Sequence, residues 1–273
     1  MSRPHLEKIL ALLEVGECPE ETRPALVEAL QADDPDLKRR ALAFTGELID
    51  GDDLALTHLG LVESADESVP VRARAALALG PTLELCDLGF WDSAFDPPPL
   101  SRGCFDRLQQ RLERIYRTAE APKLVRRRVF EASVRAPRPW HEGAIRAAWN
   151  GEDPDWKLTA VFGMGQLSGF EESLADALNS TDDEILCGAL RAAAGRERVP
   201  GALKAFRTIA ADDSQSCDCR LAAIEGLRFV DSPDIFNFLE ELTRSPDDDI
   251  AGTAAWALDE WLAFHREAET PQF

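Results

Sequence analysis

A short helical pattern returns seven times along this chain, and that recurrence limits the fold more tightly than any other feature. It is plainest in residues 33–48, "DDPDLKRRALAFTGEL", and residues 152–167, "EDPDWKLTAVFGMGQL". There Pro35 matches Pro154, Lys38 matches Lys157, Ala41 matches Ala160 and Gly46 matches Gly165. An apolar residue or thiol anchors each copy: Leu37, Val71, Val125, Trp156, Ile185, Cys219 and Ile250. Four residues on stand Ala41, Ala75, Val129, Ala160, Ala189, Ala223 and Ala254. Five on stand Leu42, Ala76, Phe130, Val161, Leu190, Ile224 and Ala255, and seven on stand Phe44, Ala78, Ala132, Gly163, Ala192, Gly226 and Ala257. Offsets of four, five and seven trace one face of a 3.6-residue helix. The small side chains in that face let another helix approach closely.

The polar positions repeat as well. The residue before the anchor is acidic in five copies (Asp36, Asp155, Glu184, Asp218, Asp249), and the residue after it is basic in five (Lys38, Arg72, Arg126, Lys157, Arg220). Acids at a helix start are expected to accept unpaired N–H groups and to complement the positive end of the dipole. Pro35 and Pro154 suit the first helical turn. Most anchor spacings lie near 31 residues, enough for two helices and two turns. Each anchored helix follows a second amphipathic segment, so the sequence predicts about fifteen helices in repeats near 20–50, 52–88, 104–136, 139–168, 170–197, 199–230 and 232–265, with a capping helix near 4–14. The Gly/Pro-rich insertion 89–103, "GFWDSAFDPPPLSRG", accounts for the one long spacing, and its aromatics Phe90, Trp91 and Phe95 favour an ordered excursion.

The pattern Asp–x–Lys/Arg–x–x–Ala ending near Gly, as in "DPDLKRRALAFTG" and "SVPVRARAALALG", resembles HEAT repeats, most closely the short bacterial kind also found in phycobilisome lyases. The resemblance spans residues ~20–264. It implies an all-α, right-handed α-solenoid of about seven HEAT-like hairpins in a single domain, 1–273, in which stacked hairpins share a core none could build alone. It also implies an acid–base ladder through successive repeats, interrupted at Leu124, Leu186 and Ala251. Such solenoids present a long surface lined by the second helix of each pair, and the expected function is a non-catalytic protein-interaction scaffold, adaptor or regulator. Three enzyme alternatives share the architecture: bilin-handling lyases, alkylpurine DNA glycosylases and di-iron hydroxylases that use His-Glu pairs. The chain has four histidines, of which only His141 precedes a Glu, and that pair is expected to be an exposed helix start. No P-loop, nucleophile elbow or dinucleotide fingerprint occurs. No catalytic residue, cofactor or metal site is assigned.

Charge narrows the partners. Fifty acidic against thirty basic side chains leave a formal net charge of −20. A field of that sign opposes nonspecific binding to nucleic acid or anionic membranes. No apolar run is long enough to span a bilayer, and the start "MSRPHLEKILALLEVGE" reads as an amphipathic helix, not a leader. Six scattered cysteines without a CxxC pair read as reduced, mostly buried thiols, so a cytoplasmic location is expected. Trp256 and Trp261 are expected to pack the last hairpin.

One segment reverses the sign. Residues 102–146 hold twelve basic side chains against five acidic ones. On the helix near 104–118, Phe105, Leu108, Leu112 and Ile115 form a buried stripe, and Arg107, Arg111 and Arg114 form another beside it. Two readings stay open: a solvated face or arginines neutralised by acids of adjacent repeats on one side, a docking site on the other. On the second reading Trp91, Arg107, Arg111, Arg114, Arg126, Arg127 and Arg128 contact an acidic protein or a second copy of this chain, since aromatics and Arg are enriched at interface hot spots.

Overall fold

A computed structural model describes residues 2–15, 22–45, 49–89, 91, 97–230 and 232–269. Among them fifteen helices follow in chain order: α1 (Arg3–Glu14), α2 (Thr22–Gln31), α3 (Pro35–Phe44), α4 (Asp52–Glu63), α5 (Val69–Leu88), α6 (Arg102–Arg117), α7 (Lys123–Ser133), α8 (Pro139–Asn150), α9 (Pro154–Gln166), α10 (Glu171–Ala177), α11 (Asp183–Ala193), α12 (Ala202–Ala211), α13 (Cys217–Leu227), α14 (Pro233–Leu242) and α15 (Asp248–Glu269). The anchored helices α3, α5, α7, α9, α11, α13 and α15 alternate with the amphipathic ones, as the period predicts. The chain divides into two compact units, Met1–His141 and Glu142–Phe273.

Local capping sets the helix starts. Asp34 accepts from the N–H groups of Asp36 and Leu37, Asp182 from Glu184 and Ile185, and Asp247 from Asp249 and Ile250. Asp153 accepts from Asp155 N–H at 3.0 Å. The capping acid therefore stands three residues before the anchor, and this corrects the sequence-based assignment. The acid one residue before the anchor is already inside the first turn, where it complements the dipole but cannot fold back as a cap. The base after the anchor closes the other end of its hairpin partner. Arg72 donates to Val62 O at 2.9 Å, Arg126 to Tyr116 O at 2.8 Å and Arg220 to Ala210 O at 3.3 Å. Each acceptor is a last-turn carbonyl of the preceding helix, so a cation sits where the helix dipole favours it.

In the first unit, second helices pack on second helices (α3 on α5, α5 on α7) and first helices on first (α2 on α4, α4 on α6). Ala41, Ala75 and Val129 of the small column are wholly buried. Helix α5 runs 20 residues through Pro81, and Thr82 on it both accepts from Ile49 N–H (2.8 Å) and donates to Ile49 O (3.0 Å). The segment leading into α4 is thereby tied to α5. The end of the insertion is anchored to α4 as well: Gly51 N–H donates to Pro99 O at 3.0 Å, and Asp52 accepts from Ser101 N–H at 2.8 Å and from its hydroxyl at 2.5 Å. Gly51 has φ +95°, and a Cβ there would strike Arg23. Of the insertion, Phe90 and 92–96 lie outside the described residues, so an ordered excursion is tested there only at Trp91 and 97–103.

The second unit repeats the arrangement with α9, α11, α13 and α15 in one row. Ala160, Ala189, Ala223 and Ala254 are wholly buried, as the small column predicts. Gly226 is required for space: a Cβ there would come within 2.7 Å of the Phe206 ring. Arg196 donates to Leu167 O at 2.9 Å and Gly165 O at 2.5 Å, closing the C-terminal end of α9. Trp261 is buried and donates to Val230 O at 2.8 Å, as expected of the last hairpin. Trp256 departs from that expectation. It is 43 % exposed, with the Arg228 guanidinium 4.4 Å from its ring centre, and Ala255 beside it is exposed too.

Candidate functional site

Helix α6 starts with Ser101 as its cap, the hydroxyl accepting from Cys104 N–H at 3.2 Å. Its apolar stripe, Phe105, Leu108, Leu112 and Ile115, is buried as the spacing predicts. That burial fixes the directions of the polar residues between them. Asp106, Arg107 and Arg114 face outward, and Arg111 is half-covered.

The structure brings Trp91 onto this helix. Its ring lies 5.4 Å from that of Phe105, and the Arg102 guanidinium stands 5.1 Å from the Trp91 ring centre. Arg138 lies 5.1 Å from the Phe105 ring and pairs with Asp87 at 3.2 Å. The result is a chain of alternating cations and aromatic rings, with favourable cation–π contacts at both ends. Trp91 and Arg102 also line a surface cavity of about 660 Å³ walled by Pro97, Pro98, Pro99 and Leu100.

The six arginines and one tryptophan singled out from the sequence do not form one surface. Arg111 is held by Glu63 through two parallel bonds of 2.6 Å, a bidentate geometry that fixes it between α4 and α6. Arg126 is spent on the Tyr116 carbonyl and lies 5.7 Å from the Tyr116 ring. Arg128 pairs with Glu131 three residues on. Arg127 is 6 % exposed, and burial removes it from any docking face, which corrects that assignment. Farther along, Arg135 pairs with Glu84 at 2.8 Å. Much of the basic segment is thus matched by acids of α4 and α5. Arg107 and Arg114 differ: both are exposed, and among the described residues neither enters an ion pair.

His141 is not the exposed helix start that the sequence predicts. It is wholly buried, because Trp140 stacks on it at 3.7 Å and Phe130 packs its edge at 5.5 Å. Its Nδ1 lies 2.9 Å from the Arg138 backbone nitrogen and 3.2 Å from Arg138 O, and its Nε2 lies 3.0 Å from the Ser133 hydroxyl. His58 in α4 is its counterpart. Its Nδ1 donates to Leu54 O at 2.9 Å and its Nε2 takes the Thr45 hydroxyl at 2.8 Å. Each ring joins a first helix to the end of the preceding second helix, Thr45 after α3 and Ser133 ending α7. Burial pushes both imidazoles down to about 4, so both are neutral at pH 7. With both ring nitrogens occupied, neither imidazole has a lone pair for a metal. Among the described residues, no group of three or more His, Cys, Asp or Glu is placed to hold a metal ion. Burial also raises the thiols of Cys86 to about 11 and Cys104 to about 12, far from a reactive thiolate. No helix of the described residues is long and apolar enough to cross a membrane.

Residues 171–259 match the family model of HEAT repeats. No curated protein matches the chain. Among solved structures, the chain is similar to Kap95p bound to RanGDP, with a TM-score of 0.50 and 11 % identity over 92 % of this chain and 35 % of that one. It is similar to human deoxyhypusine hydroxylase in complex with glycerol, with a TM-score of 0.42 and 15 % identity over 94 % and 88 %. A designed armadillo repeat protein in complex with the peptide (KR)4 gives a TM-score of 0.38 and 13 % identity over 87 % and 98 %. At these identities the likeness concerns the fold.

Proposed function

We propose, from the premise that this chain is a HEAT-repeat protein, that it is a non-catalytic scaffold, adaptor or regulator that binds another protein. The observation that carries this reading is the exposed surface at the start of α6. Trp91 is fixed there by Phe105 and Arg102 beside a proline-walled cavity. On the same helix Arg107 and Arg114 enter no ion pair among the described residues, whereas Arg102, Arg111 and Arg117 do. An aromatic held at the start of a helix that also carries two exposed guanidinium groups has the residue types enriched at interface hot spots. An acidic segment of a partner, or of a second copy of this chain, complements it, and the negative field of the rest of the molecule steers such a segment there.

The test is the double variant Arg107→Glu/Arg114→Glu. Arg111 is left intact, because removing it would strand Glu63. Proteins recovered with the wild-type chain should be lost by the variant at unchanged helicity and melting temperature. The wild-type association, including any self-association seen by sedimentation, should weaken with added salt. A folded variant that keeps the same partners with the same salt dependence rejects this surface.

A further inference from the structure

Among its described residues the second unit exposes three large apolar side chains, Leu203, Phe229 and Trp256, and all three fall in one place. Leu203 and Phe229 line a cavity of about 500 Å³, walled by the loop 195–201, the start of α12 and the end of α13. Trp256 on α15 joins them through Arg228, whose guanidinium stands 4.4 Å from the centres of both the Phe229 and the Trp256 rings. Single exposed apolar residues are ordinary, but a grouped set with polar neighbours marks a binding surface. The backbone that carries Phe229 is fixed by turns: Phe229 N–H donates to Gly226 O at 3.4 Å, and Val230 N–H to Leu227 O at 3.0 Å. Arg228 is half-buried, and among the described residues its side chain makes no hydrogen bond and no ion pair. Its N–H groups are therefore unspent while two aromatic rings hold the guanidinium. Of the charged residues lining the cavity, Arg196 is committed to the Leu167 and Gly165 carbonyls, Arg198 is exposed and enters no ion pair among the described residues, and Glu197 is the one acid. With Arg228, cations outnumber acids here in a molecule of net charge −20.

We propose that this surface binds an extended, acidic and apolar segment of a protein partner. An apolar side chain enters the cavity against Leu203 and Phe229, and a neighbouring carboxylate takes the Arg228 fork beside Trp256. This goes beyond the α6 surface and shares with it only the premise that the chain binds protein. A guanidinium held on rings presents the planar donor pair that a carboxylate matches with two oxygens. A basic segment would meet Arg196, Arg198 and Arg228 together. The extent of the surface favours a chain segment over a small anion. Cavity, Phe229, Arg228 and Trp256 follow one another, with 4.4 Å from the guanidinium to each ring centre, and an extended peptide advances about 3.3 Å per residue. Two or three residues of a partner therefore reach from the cavity to Trp256.

The experiment titrates the full ¹⁵N-labelled chain with the blocked peptide acetyl-Glu-Phe-Glu-amide and follows the indole N–H resonance of Trp256, assigned by its absence from Trp256→Phe. The signal should move saturably, with a Kd on the order of 1 mM. Acetyl-Gln-Phe-Gln-amide, without the carboxylates, and acetyl-Glu-Ala-Glu-amide, without the ring, should each bind about 10-fold more weakly. In Arg228→Met the Glu and Gln peptides should become nearly equal. Arg107→Glu/Arg114→Glu should bind the probe as the wild type does. Absence of a saturable Trp256 response, or equal binding of the Glu and Gln peptides by the wild type, overturns the proposal without any variant. So does an Arg228→Met chain that keeps the full preference for the Glu peptide. If phenylacetate moves the signal with the affinity of the peptide, the surface takes small anions; if the signal moves with the concentration of the chain itself, a second copy covers it; either result overturns the proposal. The two readings also fail separately. If Arg107→Glu/Arg114→Glu keeps its partners, the α6 surface falls and the peptide titration is untouched. If that variant loses the probe, the peptide sits on α6 and this inference falls alone.

Discussion

Helices α7 and α11 are both second helices of a hairpin, yet they begin in opposite ways. Helix α11, inside the stretch that matches the HEAT-repeat model, starts with Asp182 as a side-chain cap and carries Asp183 and Glu184 in its first turn. Helix α7 starts after Pro122 with no side-chain cap and no acid in its first turn, and it runs Lys123, Leu124, Val125, Arg126, Arg127, Arg128. Basic residues at the positive end of a helix are unfavourable. The centre of the first unit compensates through tertiary contacts: Arg126 on the Tyr116 carbonyl, Arg128 on Glu131, and the Tyr116–Trp140–His141 stack beneath. Where the repeat rule holds, short-range capping suffices. Where it lapses, the same helix start depends on neighbours.

The largest expected effect separates the two units by pH. Among the described residues the buried histidines are His58 and His141, both in the first unit and both pushed from 6.5 down to about 4. Between those values the unfolded chain takes up protons that the folded chain refuses. Their stability contribution is therefore complete above pH 6.5, declines as pH falls and levels off below about 4. At pH 5 each should have lost roughly 2 kcal/mol. Hydrogen exchange at pH 7 and pH 5, corrected for intrinsic rates, should show protection lost first in α3–α7. Equal loss in α11–α13 would break the distinction.

Next in size is the small column. Ala223→Leu in α13 and Ala160→Leu in α9 should each cost about 1–3 kcal/mol in chemical denaturation, since each alanine is wholly buried between helices. A wild-type melting point for either would mean the helix register is misread. The capping comparison is smaller. Asp182→Ala should cost about 1 kcal/mol, whereas Glu184→Ala, two residues on, should stay within about 0.5 kcal/mol because it acts only through the dipole. Smallest for stability is Arg107→Glu/Arg114→Glu, expected within about 0.5 kcal/mol. Its effect should appear in binding.

Much of this molecule is legible in its amino-acid sequence alone. The anchor positions, the alternation of fifteen helices and the small column depend on a 3.6-residue period and on residues within one turn of each other. Ala41, Ala75, Val129, Ala160, Ala189, Ala223 and Ala254 are all wholly buried for that reason. Only the tertiary structure decides the pairings between distant positions. Arg111 and Glu63 are 48 residues apart, Gln109 and Ala136 27, and Arg135 and Glu84 51. Whether an arginine on α6 or α7 faces solvent or a carboxylate depends on which helix lies beside it, and periodicity along one helix does not carry that. The burial of His141 and Arg127 and the exposure of Trp256 have the same cause. Each is decided by the presence or absence of a neighbouring helix over one face, which is fixed only when the hairpins stack.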